Sequence, residues 1–119
     1  MLIFMVRNSE DIEITDVQGE GIRGVKKQIA IGPKEGWQEG YMRVFTIEPG
    51  GNTPAHSHSW WHVNYVLEGE GTIEIEGIKY PVKKGSVAYI DPNKAHQFVN
   101  TGKTALKFIC LVPPEGDHY

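Results

Sequence analysis

The sequence predicts an all-β chain, a sandwich or small barrel, on three observations. Helical periodicity is nearly absent, short alternating apolar segments recur, and glycine and proline (14 and 7 residues) punctuate them along 119 positions. That length suits one domain with a substantial core and is too short for two.

The elements follow in order. "MLIFMV" (1–6) reads as an N-terminal strand or arm; it is too short to span a bilayer and lacks the charged leader and small-residue cleavage site of a secretory signal. "GVKKQIAI" (24–31) reads as a strand, and "GPKEGWQEG" (32–40) as a polar loop, either a lid or a connection. "YMRVFTIE" (41–48) is β-rich and stops at "PGGN"; "HVNYVLE" (62–68) stops at "GEG". "TIEIE" (72–76) alternates, with Ile73 and Ile75 on one face, and Gly77 permits a tight reversal into "IKYPV" (78–82), where Ile78, Tyr80 and Val82 share a face. "SVAYI" (86–90) and "HQFVN" (96–100) follow turn signals, and "ALKFICLV" (105–112) is apolar on both faces, as a strand between two layers would be. The whole chain, 1–119, reads as a single domain, with an arm or strand over 1–24 and a core barrel over 41–112.

Charge and composition narrow the function. A formal charge of -3 without a Lys/Arg cluster argues against nucleic acid or an anionic membrane as partner. Cys110 is the one cysteine, so no internal disulfide is possible and a reducing cytoplasm is the expected location.

Three of the five histidines, His56, His58 and His62, fall within seven positions in "HSHSWWH". Residues two apart on a strand share a side, so His56 and His58 can converge; His62 joins them if the chain turns around "SWW". His96 lies 34 residues later, at the start of another expected strand. One metal ion would then join remote strands inside a barrel, through neutral nitrogens that suit Zn, Cu, Fe, Ni and Mn. The alternative is a scatter of surface imidazoles. His118 lies in the polar tail "PPEGDHY" and reads as solvated.

The residues around the histidines decide between these. Gly50, His56, His58 and Gly69, with "YVLEGEG", and then Gly85, His96 and Asn100, stand at the spacings of two motifs. In these motifs the chain resembles the cupin superfamily, in particular its small single-domain members (monocupins). The resemblance implies a double-stranded β-helix, a jelly-roll-like barrel. Two departures stand out. Asp91 and Asn93 occupy places where proline and glycine are usual, although "DPNKAH" still makes a turn. The usual metal-binding glutamate would fall at His62 or Val63. The pattern H-x-H-x-W-x-H is similar to that of a monocupin subgroup with a four-histidine manganese site, which implies His56, His58, His62 and His96 as ligands of a divalent transition metal: Mn by resemblance, with Fe, Zn, Ni or Cu also compatible. The alternative for His62 is a place beside a three-ligand site.

Four neutral ligands leave the full +2 charge on the metal and favour the divalent state. That permits Lewis-acid or redox chemistry on a small organic substrate. A dioxygenase-type oxidoreductase is the first reading; a sugar isomerase or epimerase, or a non-catalytic metal-dependent binder of a small ligand, are the others. For the pocket wall the expected residues are Phe98, which shares parity with His96; Phe108 and Cys110, an F-x-C pair that in the resembling subgroup lies beside the metal; Arg43, if it faces inward with Phe45 and Ile47; and Trp61, which with Trp60 flanks the ligands. The resemblance and the doubly apolar last strand imply a homodimer.

Overall fold

A computed structural model describes residues 4–118. Among the described residues nine strands carry the fold: β1 Thr15–Val17, β2 Arg23–Ile31, β3 Tyr41–Asn52, β4 His62–Glu68, β5 Glu70–Ile75, β6 Ile78–Lys83, β7 Val87–Ile90, β8 His96–Val99 and β9 Leu106–Val112. Helical structure among the described residues is limited to three single 3-10 turns, at Ser9–Asp11, Pro33–Glu35 and Pro114–Gly116. The hydrogen-bonded order is β6-β5-β8-β3-β9-β4-β7, with β2 also on β3 and β1 on β2. Every pairing is antiparallel.

β3 closes the barrel. Its residues Tyr41 to Ile47 pair with β9, while Asn52 at its far end pairs with Val99 of β8. One long strand therefore serves both walls. Alternation then fills the interior: along β9 every second residue, Leu106, Phe108, Cys110 and Val112, is buried, and Ile47, Val66, Ile73 and Ile90 meet them from the other strands. Such burial is the main stabilising term for an all-β domain of this size.

Local chemistry sets the turns. Between β5 and β6, Glu76 and Gly77 have φ of 49° and 82°, both positive, as a two-residue hairpin turn of the favoured hand requires. At Gly69, with φ of 87°, a Cβ would run into the carbonyl oxygen of Ala105, so the β4–β5 crossing admits no side chain. Asn100 holds the barrel floor: its side-chain nitrogen donates to Ile47 O (2.8 Å) and Thr104 O (2.9 Å), and its oxygen accepts from Gly102 N (2.9 Å).

Of the strand and the arm that "MLIFMV" admits, Phe4 to Val6 take the exposed arm (residues 1–3 lie outside the described residues), and the first strand is the short β1. On β6 the apolar face is largely uncovered, with Ile78 57% and Tyr80 48% exposed, because β6 is the edge of the sheet. Alternation reveals which side chains share a face but not whether anything covers it.

Candidate metal centre

His56 and His58 do not sit on a regular strand; they lie on the segment between β3 and β4. Their convergence has another cause. His56 makes an isolated antiparallel bridge with His96, with N–H···O distances of 3.1 and 2.9 Å in the two directions. The segment is pinned before that bridge by Thr53, whose hydroxyl accepts from Phe98 N at 2.9 Å. It is pinned after it by Asn93, whose N–H donates to His58 O at 2.6 Å. Asn93 has φ of 67°, the left-handed conformation that glycine would take in this turn, which explains why asparagine serves there. The chain then bends at Ser59–Trp60 and His62 opens β4, opposite Ile90 and facing inward.

The four rings cluster. Ring centroids lie 5.1 Å apart for His56–His58, 4.8 Å for His56–His96, 4.9 Å for His58–His96 and 4.6 Å for His62–His96. Three Nδ1 atoms face acceptors: His58 toward Trp60 O (2.9 Å), His62 toward Asn64 Oδ1 (2.7 Å) and His96 toward Lys94 O (2.8 Å). A carbonyl oxygen only accepts, so each Nδ1 carries the proton and each Nε2 presents a lone pair. His62 Nε2 and His96 Nε2 then face each other at 3.0 Å with no proton between them. Two opposed lone pairs repel, and a cation between them removes the conflict. The spacing fits: nitrogens about 2.1 Å from a common ion and at right angles are about 3.0 Å apart. The ligand atoms of His56, His58 and His96 lie within 4.8 Å of one another, so these three could hold a metal ion. His62 reaches the same cluster through His96. Nδ1 bonds of this kind orient ligand rings at metal sites, and the Asn64 contact was legible only as shared strand parity with His62.

Burial lowers the basicity of all four rings. His62 falls to about 3 and His56 to about 4, desolvation being the largest cause and the neighbouring His96 the next. His58 and His96 are also lowered, again first by burial. The rings are therefore neutral imidazoles at pH 7. A pH dependence follows. The unfolded chain takes up protons near pH 6.5 while the folded one does not, so metal-free protein holds its full stability above that pH. It loses stability progressively as the pH falls from 6.5 toward 4 and 3. Urea midpoints of the metal-free protein, measured stepwise from pH 7.5 to 4, should fall across that window; a flat profile would contradict neutral buried imidazoles.

Two spaces adjoin the histidines. The inner one, about 20 Å³, is lined by Phe45, Thr53, Phe98, Phe108 and Cys110 beside His58, His62 and His96, and has room for one water-sized group. The outer one, about 390 Å³, is lined by Arg43, His56, His58, Trp60 and His118, among others. Arg43 also borders the inner space. Phe98, Phe108, Cys110 and Arg43 thus all line the site. Arg43 is 5% exposed, with Nη2 donating to Cys110 Sγ at 3.0 Å and its guanidinium 4.9 Å from the Phe45 ring centroid. Burial pushes the Cys110 thiol up, against the opposing pull of Arg43, so it is a neutral thiol at pH 7. Trp61 is 37% exposed and borders neither space. Trp60 takes the place expected for it, its ring stacked on His58 at 4.4 Å and 5°. The polar tail also reaches the site: the His118 ring lies 4.6 Å from Trp60, and Asp117 pairs with Lys27 and Arg43. Nothing in the composition of "PPEGDHY" signals that docking.

No helix among the described residues is long and apolar enough to cross a membrane. Comparison with known proteins places this architecture. Residues 43–112 match the family model described as Cupin domain. The oxalate-binding protein of Thermotoga maritima is 30% identical over 91% of this chain and 92% of its own. Auxin-binding protein 1 of Arabidopsis thaliana is 31% identical over 92% of this chain, which spans 60% of that protein. The polyketide cyclase RemF of Streptomyces resistomycificus superposes with a TM-score of 0.86 at 26% identity, covering 93% of this chain and 80% of that one. With both cupin motifs built into one barrel and the family model spanning most of it, the chain belongs to the cupin family.

Proposed function

We propose that His56, His58, His62 and His96 together hold one divalent transition metal, manganese by the resemblance of the ligand pattern, and that the protein is a dioxygenase-type oxidoreductase acting on a small organic molecule. The observation that carries this reading is the pair of bare Nε2 atoms of His62 and His96 at 3.0 Å, each with its Nδ1 proton committed elsewhere. When bound, such an ion supplies Lewis acidity and a redox-active centre with its charge unneutralised by any carboxylate. The chain's own residues supply the rest. Trp60 and Arg43 shape the space where an organic substrate would lie, and Phe45, Phe98 and Phe108 supply apolar walls to the inner space. Among the described residues no glutamate or lysine borders either space, so a sugar isomerase would have to draw its base from the C-terminal tail, where His118 borders the outer space and Asp117 contacts Arg43. The test is oxygen uptake by manganese-loaded protein against enediols, phenols and styrenes. Turnover that stops on chelation supports the reading, and no uptake with any of them favours the second one.

That second reading is a metal-dependent binder of a small ligand. It is favoured by two relatives that are named as binding proteins, for oxalate and for auxin.

The expected homodimer has a surface to use. Val63, Tyr65, Val87 and Tyr89 face outward from β4 and β7 in direct register, 37 to 72% exposed. An uncharged face of this kind can meet its own copy without like-charge repulsion. Tyr65→Glu with Val87→Glu should convert a dimer to a monomer in sedimentation equilibrium; wild-type protein sedimenting as a monomer would remove the dimer from the reading.

A further inference from the structure

Arg43 is a buried arginine at the site, and its hydrogen-bonding capacity is poorly used. Among the described residues its Nε has no hydrogen-bond partner, its Nη2 donates to a thiol, which is a weak acceptor, and its Nη1 lies 3.6 Å from Asp117 Oδ1. A guanidinium offers five N–H groups in a fork that matches a carboxylate with two parallel bonds. Asp117 does not fill that fork: a single oxygen, Oδ1, serves both Arg43 and Lys27, the latter at 3.0 Å. The side chains of Arg43 and Asp117 are only 6% and 15% exposed, so water is a poor substitute for the missing acceptor.

Asp117 arrives at this position on the C-terminal tail. Gly116 packs so closely that a Cβ would stand 2.5 Å from Val112 Cβ and 3.0 Å from Trp60 Cδ1. His118 lies over Trp60, which stacks on His58. The tail therefore forms one wall of the outer space and presents a carboxylate to the arginine that borders both spaces.

The geometry points to Arg43 as the anchor for a carboxylate ligand in the outer space, with Asp117 as a tethered internal substitute that the ligand displaces. This deepens the reading above, since the ligand would lie beside the four histidines; it narrows the substrate class to small carboxylic acids and makes the tail a gate. The loose 3.6 Å contact is what lets the exchange go forward, because an incoming carboxylate can make two parallel bonds along one edge of the guanidinium where Asp117 offers a single oxygen. A tethered competitor acts at millimolar effective concentration, so removing its charge should tighten ligand binding without any new contact.

The experiment titrates metal-free protein with benzoate and with its neutral isostere benzamide, following the Trp60 indole NMR resonance, assigned with Trp60→Phe. Asp117→Asn should bind benzoate roughly five- to ten-fold more tightly than wild type. Arg43→Gln should weaken it by about ten-fold or more, and neither change should alter benzamide binding. Unchanged or weaker benzoate binding by Asp117→Asn overturns the proposal even if Arg43→Gln fails to fold, as does benzoate that binds no better than benzamide or not at all. Metal content, measured separately on wild type and Asp117→Asn, keeps the two readings apart. Protein without metal but with these contrasts sinks the metal centre and leaves the gate; metal-loaded protein without them does the reverse.

Discussion

Alanine in place of His96 is expected to leave the purified protein with less than about a tenth of its metal, and alanine in place of His62 to lower affinity by at least the roughly 10- to 100-fold that even an orienting partner contributes. His96 is the more severe because its ring joins the parts of the site. Its Nε2 faces that of His62, and its ring stands within 5 Å of those of His56 and His58. Losing it would remove a proposed ligand and with it the nitrogen that links the β4 side and the loop side of the cluster. His62→Ala is the more informative, since His56, His58 and His96 alone could still hold an ion. Elemental analysis and a competing-chelator titration on both variants, with circular dichroism to establish folding, decide the matter. Full metal content in His62→Ala would make the site a three-histidine one, with His62 a neighbour. Asn64→Ala should fall between wild type and His62→Ala, because it frees His62 Nδ1 and so removes what fixes the tautomer.

The sequence carried the barrel and the cluster for definite reasons. Strand parity predicted that Phe98 follows His96 inward and that Phe108 and Cys110 share an inner face, and parity is a backbone property that survives in any sheet. The strands over 62–68, 78–82 and 105–112 likewise appear within a residue of their expected limits, because turn residues bound them. Parity fails where the backbone leaves the sheet. His56 and His58 converge through a bridge to His96 and a turn at Asn93, and the choice between Trp60 and Trp61 depends on dihedral angles in a bend. The tail was unreadable for a different reason. Its polar composition describes how it would behave alone, whereas its position depends on Lys27 and Arg43, some 90 and 74 positions away (117 − 27 and 117 − 43). Charges buried through long-range pairing leave no local pattern.

Phe108→Ala should cost about 3–5 kcal/mol of folding stability, as truncation of a buried aromatic does, and lower the melting temperature by roughly 10–20 °C. Phe108 is 2% exposed and lies between two rings, Phe98 at 4.0 Å and 11° and Phe45 at 5.6 Å and 26°. It also pairs in register with Phe45 on β3 and Val66 on β4, so the stack ties the central strand of one wall to β8 on the other. The surroundings cannot collapse into the gap, because Phe45 and Phe98 hang from different strands already fixed by ladder hydrogen bonds. The cost should therefore lie toward the upper end, and Phe108→Leu, which keeps most of the volume, should cost less than about 1.5 kcal/mol. Metal stoichiometry should survive both changes, since the four imidazole rings are held by the His56–His96 bridge, Lys94 O, Trp60 O and Asn64 rather than by Phe108. The enlarged inner space, however, would no longer be limited to one water-sized group, and oxygen uptake or ligand selectivity should loosen accordingly. Chemical denaturation beside elemental analysis separates the two effects. A loss under 1 kcal/mol would mean that the aromatic stack packs less tightly than its ring distances imply, and loss of metal together with stability would mean that the stack, not the loop bridge, positions the ligands.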